Sequence, residues 1–89
     1  MKVVHCKKEP FTHYIGRPSP LGNPYIIGKD GTREQVVIKF KLYAVKFLQK
    51  EILALPEDAI LACWCSPLDC HGNAIKEIWE DLHEIQQTR

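Results

Sequence analysis

The run Ala59-Ile60-Leu61-Ala62-Cys63-Trp64 constrains the fold more than any other part of this chain. These consecutive apolar residues, followed by Pro67, offer no polar face to solvent, as in a strand covered on both sides. Such a strand needs helices over it, and the chain supplies one helical pattern before the run and one after it. From Thr32 onward, Val36, Val37, Phe40, Tyr43, Ala44, Phe47 and Leu48 recur at helical spacing. Thr32 with Gln35 three residues on forms a capping-box signature, so a helix is expected over 32–53. After the run, Asp69 is the expected N-cap of a last helix. Its apolar stripe is Ala74, Ile75, Ile78, Trp79, Leu82 and Ile85, and its wet face is Glu77, Glu80, Asp81 and Glu84.

Two shorter extended segments precede the first helix. Val3-Val4-His5-Cys6 is β-branched and reads as a strand, and Thr12-His13-Tyr14-Ile15 reads as a second. The predicted order is β-β-loop-α-β-α. A strand–helix–strand unit favours parallel pairing through a right-handed crossover. The expected fold is therefore α/β: a Rossmann-like fragment, with a small mixed or parallel sheet of two to three strands packed by two helices. At 89 residues the chain makes one domain, 1–89. So small a sheet is marginal by itself, which makes a homodimer a reasonable expectation.

Charge narrows the partners. The formal net charge is +1, so no large field is available to hold a nucleic-acid backbone, and generic nucleic-acid binding is disfavoured. No run is long enough to span a membrane. No long apolar region follows Lys2, so an export signal is not expected. A cytoplasmic, reducing location follows from that reading, with cysteines carried as thiols or metal ligands in preference to disulfides.

Chemistry concentrates after the apolar run. Cys63, Cys65, Cys70 and His71 fall between the end of a predicted strand and the start of a predicted helix. Ligands of open α/β sheets sit at that carboxyl edge. A helix N-terminus favours anions and lowers the pKa of a thiol in its first turn. Cys65 or Cys70 is thus the candidate reactive thiol, and His71 its proton-transfer partner. Alternation along a strand puts Cys63 and Cys65 on one face, so Cys63, Cys65, Cys70 and His71 also make a candidate tetrahedral zinc set. Cys63 is equally readable as a small buried hydrophobe. Trp79 is expected in the core; Trp64 reads as a core residue first and as a ligand platform second.

The stretch Gly16-Arg17-Pro18-Ser19-Pro20-Leu21-Gly22-Asn23-Pro24 is neither helix nor central strand. Its prolines make it rigid, and its glycines allow close approach of backbone to a ligand. Arg17, Ser19, Gly22 and Asn23 are the candidate ligand-binding residues. Arg17 offers a planar donor fork for phosphate or carboxylate, and Asn23 offers both a donor and an acceptor. The plainer reading makes Arg17 solvated and gives Asn23 the job of closing a turn.

The phrases Tyr14-Ile15-Gly16-Arg17, Leu21-Gly22-Asn23-Pro24-Tyr25, Gly28-Lys29-Asp30-Gly31-Thr32-Arg33 and Leu61-Ala62-Cys63-Trp64-Cys65, with Pro67 and Cys70-His71-Gly72, resemble the DUF4326 family. This is a domain of unknown function found in bacteria, archaea and phages. The resemblance covers nearly the whole chain and implies that the rigid loop and the cysteine–histidine turn form one site. It implies a cytoplasmic or phage-encoded α/β domain in nucleotide or nucleic-acid metabolism. The leading expectation is a small ligand-binding domain, with enzymatic activity open, acting on a nucleotide-like or phosphorylated molecule. The alternatives are a zinc-binding module without catalysis and an accessory protein that binds a host protein through an apolar face.

Overall fold

The computed structural model of the chain describes residues 1–64 and 71–87. The elements are β1 (Lys2–His5), β2 (His13–Tyr14), α1 (Arg33–Phe47), α2 (Gln49–Leu53), β3 (Ile60–Cys63) and α3 (His71–Gln87). The sheet is three-stranded and wholly parallel, in the order β1-β3-β2. The apolar run supplies β3, the central strand. Lys2, Val3, Val4 and His5 pair with Ile60 to Cys63 on one side, and His13 and Tyr14 pair with Leu61 and Ala62 on the other. Leu61, Ala62 and Cys63 are accordingly buried. Backbone bonds carry the pairing past the strand ends, from the Cys6 amide to the Cys63 carbonyl (3.0 Å) and from the Ile15 amide to the Ala62 carbonyl (2.9 Å).

The α/β expectation holds, with a third helix added. The helix expected over 32–53 is interrupted at Leu48, whose φ of −117° and ψ of 13° leave the helical region. The interruption turns buried Leu48 inward and redirects α2 so that Ile52, and Leu55 after it, also reach the core. Breaking a helix frees carbonyls. Here Gln49 Nε2 donates to the Val45 carbonyl at 2.8 Å. The predicted capping box is present: Gln35 N–H donates to Thr32 Oγ1 (3.2 Å) and Thr32 N–H to Gln35 Oε1 (2.9 Å). Gly31 precedes it at φ +142°, and a Cβ there would fall 2.8 Å from Gln35 Oε1. Only glycine accommodates both demands.

The core joins Ile15, Phe40, Ala44, Ile52, Leu61, Ile75 and Ile78 from the sheet and all three helices. The last helix presents its predicted stripe inward, with Ala74, Ile75 and Ile78 buried and Trp79 and Leu82 half-buried. Trp79 Nε1 donates to the Leu55 carbonyl at 2.9 Å. The predicted cap Asp69 and the side chain of Ile85 lie outside the described residues. On α1, Val36, Phe40 and Ala44 face inward, while Ile38, Leu42 and Val45 form an exposed stripe on the far side. Among the described residues no helix is long and apolar enough to cross a membrane.

Candidate functional site

Three parallel strands share one carboxyl edge, and the chain spends its irregular segments there. The proline-rich loop leaves β2, and the segment that begins with Trp64 leaves β3. The two meet across a cleft of about 460 Å³, within the range of small-molecule sites. Gly16, Arg17 and Asn23 line it from the loop, Cys63, Trp64 and His71 from the other wall, and Arg33, Val36 and Val37 from the first turns of α1. The loop is therefore a neighbour in space of Cys63, Trp64 and His71, which flank the cysteine turn in sequence.

His71 holds the two walls together. It is the first residue of α3, yet its Nε2 lies 2.7 Å from the Ile15 carbonyl oxygen, at the start of the loop. A carbonyl only accepts, so Nε2 carries the proton and Nδ1 is left as an acceptor. The ring is buried and stands edge-on to Phe40, with centroids 5.0 Å apart. Burial pushes its pKa below the usual histidine value, and the Arg17 charge acts in the same direction. The Ile15 carbonyl, Cys63 and the Leu21 backbone act against that shift.

The loop residues divide into two sets. Arg17 is exposed and lines the cleft. Asn23 lines it too, but its side chain is engaged: Oδ1 accepts from the Tyr25 amide (2.9 Å) and Nδ2 donates to the Val36 carbonyl (3.2 Å). It ties the loop to α1 and closes a turn, as in the plainer of the two readings. Ser19 and Gly22 are not on the cleft wall. Ser19 Oγ accepts from the Leu21 amide at 3.2 Å, inside the loop. A Cβ on Gly22 would lie 3.0 Å from the Ser19 carbonyl and 3.2 Å from Arg17 Cα. Glycine is needed there for the loop to fold on itself, not for a ligand to approach.

Cys63 is buried, as a small hydrophobe would be, and also reaches the cleft. Cys65 and Cys70, the candidate reactive thiols and half of the zinc set, lie outside the described residues. Cys63 and His71, the other half, are both at the cleft. Among the described residues no group of three or more His, Cys, Asp or Glu side chains is arranged to hold a metal.

The expectation of a core Trp64 is overturned. The side chain is 57% exposed, because it follows the last residue of β3 and clears the sheet. Its Nε1 donates to the Tyr14 hydroxyl at 2.8 Å. Arg33, Tyr14 and Trp64 are cleft residues that the sequence argument did not assign to a site. The signal was adjacency: Tyr14 leads directly into the loop, Arg33 follows the capping residue, and Trp64 ends the apolar run.

Charge is sorted over the surface. Among the described residues, the cleft lining includes two guanidinium groups, Arg17 and Arg33, and no carboxylate. A second groove, between Leu55–Glu57 and α3, carries Glu57, Glu80 and Glu84 around Trp79 and His83. Among the described residues, the charged groups lining the first cleft are cationic and those lining the second groove are mainly acidic.

The sequence profile of a domain of unknown function, DUF4326, matches residues 2–81 of the 89. No curated protein and no solved structure matches the chain.

Proposed function

We propose that this chain, which belongs to the DUF4326 family, binds a phosphorylated small molecule in the cleft at the carboxyl edge of its sheet. The observation that carries the reading is the exposed Arg17 guanidinium on the cleft wall, with Arg33 on the same wall and no carboxylate among the described lining residues, in a chain of net charge +1. A guanidinium fork matches phosphate oxygens in pairs. The first turn of α1 faces the same space, adding the partial positive charge of a helix N-terminus. Arg17 is the principal anion ligand, and Arg33 lines the same cleft. Asn23 and His71 are positioning residues that fix the loop against α1 and α3.

The cysteine turn extends this reading toward catalysis. Cys65 and Cys70 precede His71 in sequence, and a neutral His71 ring has one nitrogen able to accept a thiol proton. Fast alkylation of one thiol near neutral pH, slowed by a bound phosphate ester, supports that role. The zinc reading draws on Cys63 and His71 sharing the cleft wall. About one zinc per purified chain, with unfolding on chelation, favours it over thiol chemistry.

Binding is tested by calorimetric titration with ribose 5-phosphate. Saturable binding, weakened by salt and reduced at least about tenfold in Arg17→Ala, supports the proposal. No saturation, or an Arg17→Ala protein that binds like the parent, overturns it.

A further inference from the structure

Trp64 is a costly residue to leave in water. A side chain of this type contributes a large apolar area and is usually mostly covered, yet here it is 57% exposed. Nor is it loose. Nε1 donates to Tyr14 at 2.8 Å, the His5 ring meets it edge-on at 5.8 Å and 80°, and Lys7 Nζ stands 5.4 Å from its centroid. The ends of β1 and β2 thus hold an exposed indole in one orientation before any ligand arrives. Its ordering entropy is already lost in the folded protein, and that is how a preorganised contact gains affinity.

The hydrogen bond to Tyr14 has a second consequence. Indole has a single polar atom, a donor, and that donor is already used. What Trp64 offers the cleft is π-surface. A ligand group that complements it is flat and aromatic, and needs no hydrogen bond from this residue.

We infer that the ligand is a mononucleotide, its phosphate on Arg17 and its base stacked on Trp64. The inference rests on the phosphate reading of the cleft and adds the ring. A sugar phosphate satisfies Arg17 and leaves the indole bare. A nucleoside covers the indole and leaves Arg17 without an anion. A longer strand needs further stacking platforms or a basic track, and the net charge of +1 is small for that. Lys7 Nζ lies over the same ring, a cation–π contact that a stacking base would share or displace.

The test compares adenosine monophosphate, ribose 5-phosphate and a short adenine oligonucleotide by calorimetry, on the parent, Trp64→Leu and Arg17→Ala. The nucleotide is expected to bind about tenfold or more tightly than ribose 5-phosphate, in keeping with one stacked base. Trp64→Leu should bring the nucleotide down to the level of ribose 5-phosphate and leave ribose 5-phosphate unchanged. That unchanged binding also certifies the fold of the variant. Arg17→Ala should weaken both. In a Trp79→Phe background, the remaining Trp64 emission should change on nucleotide binding. Equal affinities for the two ligands, or a Trp64→Leu protein that binds the nucleotide like the parent, overturns the inference and leaves the phosphate reading standing. Binding of neither ligand removes the phosphate reading as well. An oligonucleotide bound far more tightly than the mononucleotide overturns the assignment to a free nucleotide.

Discussion

His71 Nε2 and the carbonyl oxygen of Ile15 lie 2.7 Å apart across 56 residues of sequence. One imidazole thereby joins the start of α3 to the start of the proline-rich loop, and both to the rim of the sheet. The bond suits neutral histidine, since only one ring nitrogen then carries a proton and that nitrogen is the donor. The cleft depends on this contact, because the two segments it joins form the opposing walls.

Stability should therefore depend on pH through His71. Burial sets its folded-state pKa below 6.5. Between the folded value and 6.5 the unfolded chain binds more protons than the folded chain, so stability rises with pH in that window. The contribution is complete above 6.5 and is lost as the pH falls from there toward the folded value. Urea unfolding at a series of pH values checks this. His71→Asn, which keeps a donor and removes the titration, should flatten the dependence over the same window.

Asn23 should act through the loop. Its two hydrogen bonds, to the Tyr25 amide and the Val36 carbonyl, contribute about 1 kcal/mol each. Asn23→Ala should lower unfolding free energy by about 1–3 kcal/mol and weaken ribose 5-phosphate binding through misplacement of Arg17. Asn23→Asp keeps the acceptor for Tyr25 and loses the donor to Val36, so it should fall between the parent and alanine. An alanine variant with parent stability and parent affinity would show that the loop is held by other contacts.

The helices and the central strand were legible because their signals are local. Thr32 and Gln35 cap α1 as the spacing predicts, and β3 is the apolar run itself. The break at Leu48 was not legible. Leucine is a good helix former, and the turn inward is decided by where the core lies. The predicted stripe did mark the buried face of α1 through Val36, Phe40 and Ala44, while Ile38, Leu42 and Val45 stay exposed on the other side. At the site, the carboxyl-edge rule pointed to the end of β3 and to His71, and the family resemblance pointed to the loop; Arg17, Cys63 and His71 do line one cleft. Trp64 was misjudged because an apolar run gives no sign of where its strand stops. Gly22 and Ser19 drew attention as ligand contacts, while the loop uses them on its own backbone.

Gly31→Ala should damage the start of α1. The new Cβ would meet Gln35 within 3.0 Å at a φ of +142°, so it strains the backbone and displaces the capping side chain together. Loss of the cap and the conformational strain sum to about 1–4 kcal/mol. Chemical denaturation measures the loss. Gln35→Ala in the Gly31→Ala background should cost little more, because the cap is already gone.

Gly72→Ala should separate α3 from the sheet. Its Cβ would lie 2.8 Å from Val3 Cγ1 and 3.0 Å from Ile15 Cδ1. Overpacking of this kind costs about 1–3 kcal/mol. Val3→Ala alone should also destabilise, but the double variant should be more stable than the sum of the two single effects predicts. Simple additivity in that double-mutant cycle would argue against a steric clash.

The account rests on the cleft between the proline-rich loop and the end of β3 being the binding site, and amide chemical-shift mapping with adenosine monophosphate tests it most directly. Shifts should move at Gly16, Arg17 and Asn23, in the first turn of α1 and at the Trp64 indole N–H, and saturate together. Shifts confined to the acidic groove around Glu80 and His83, or none at millimolar ligand, would contradict it.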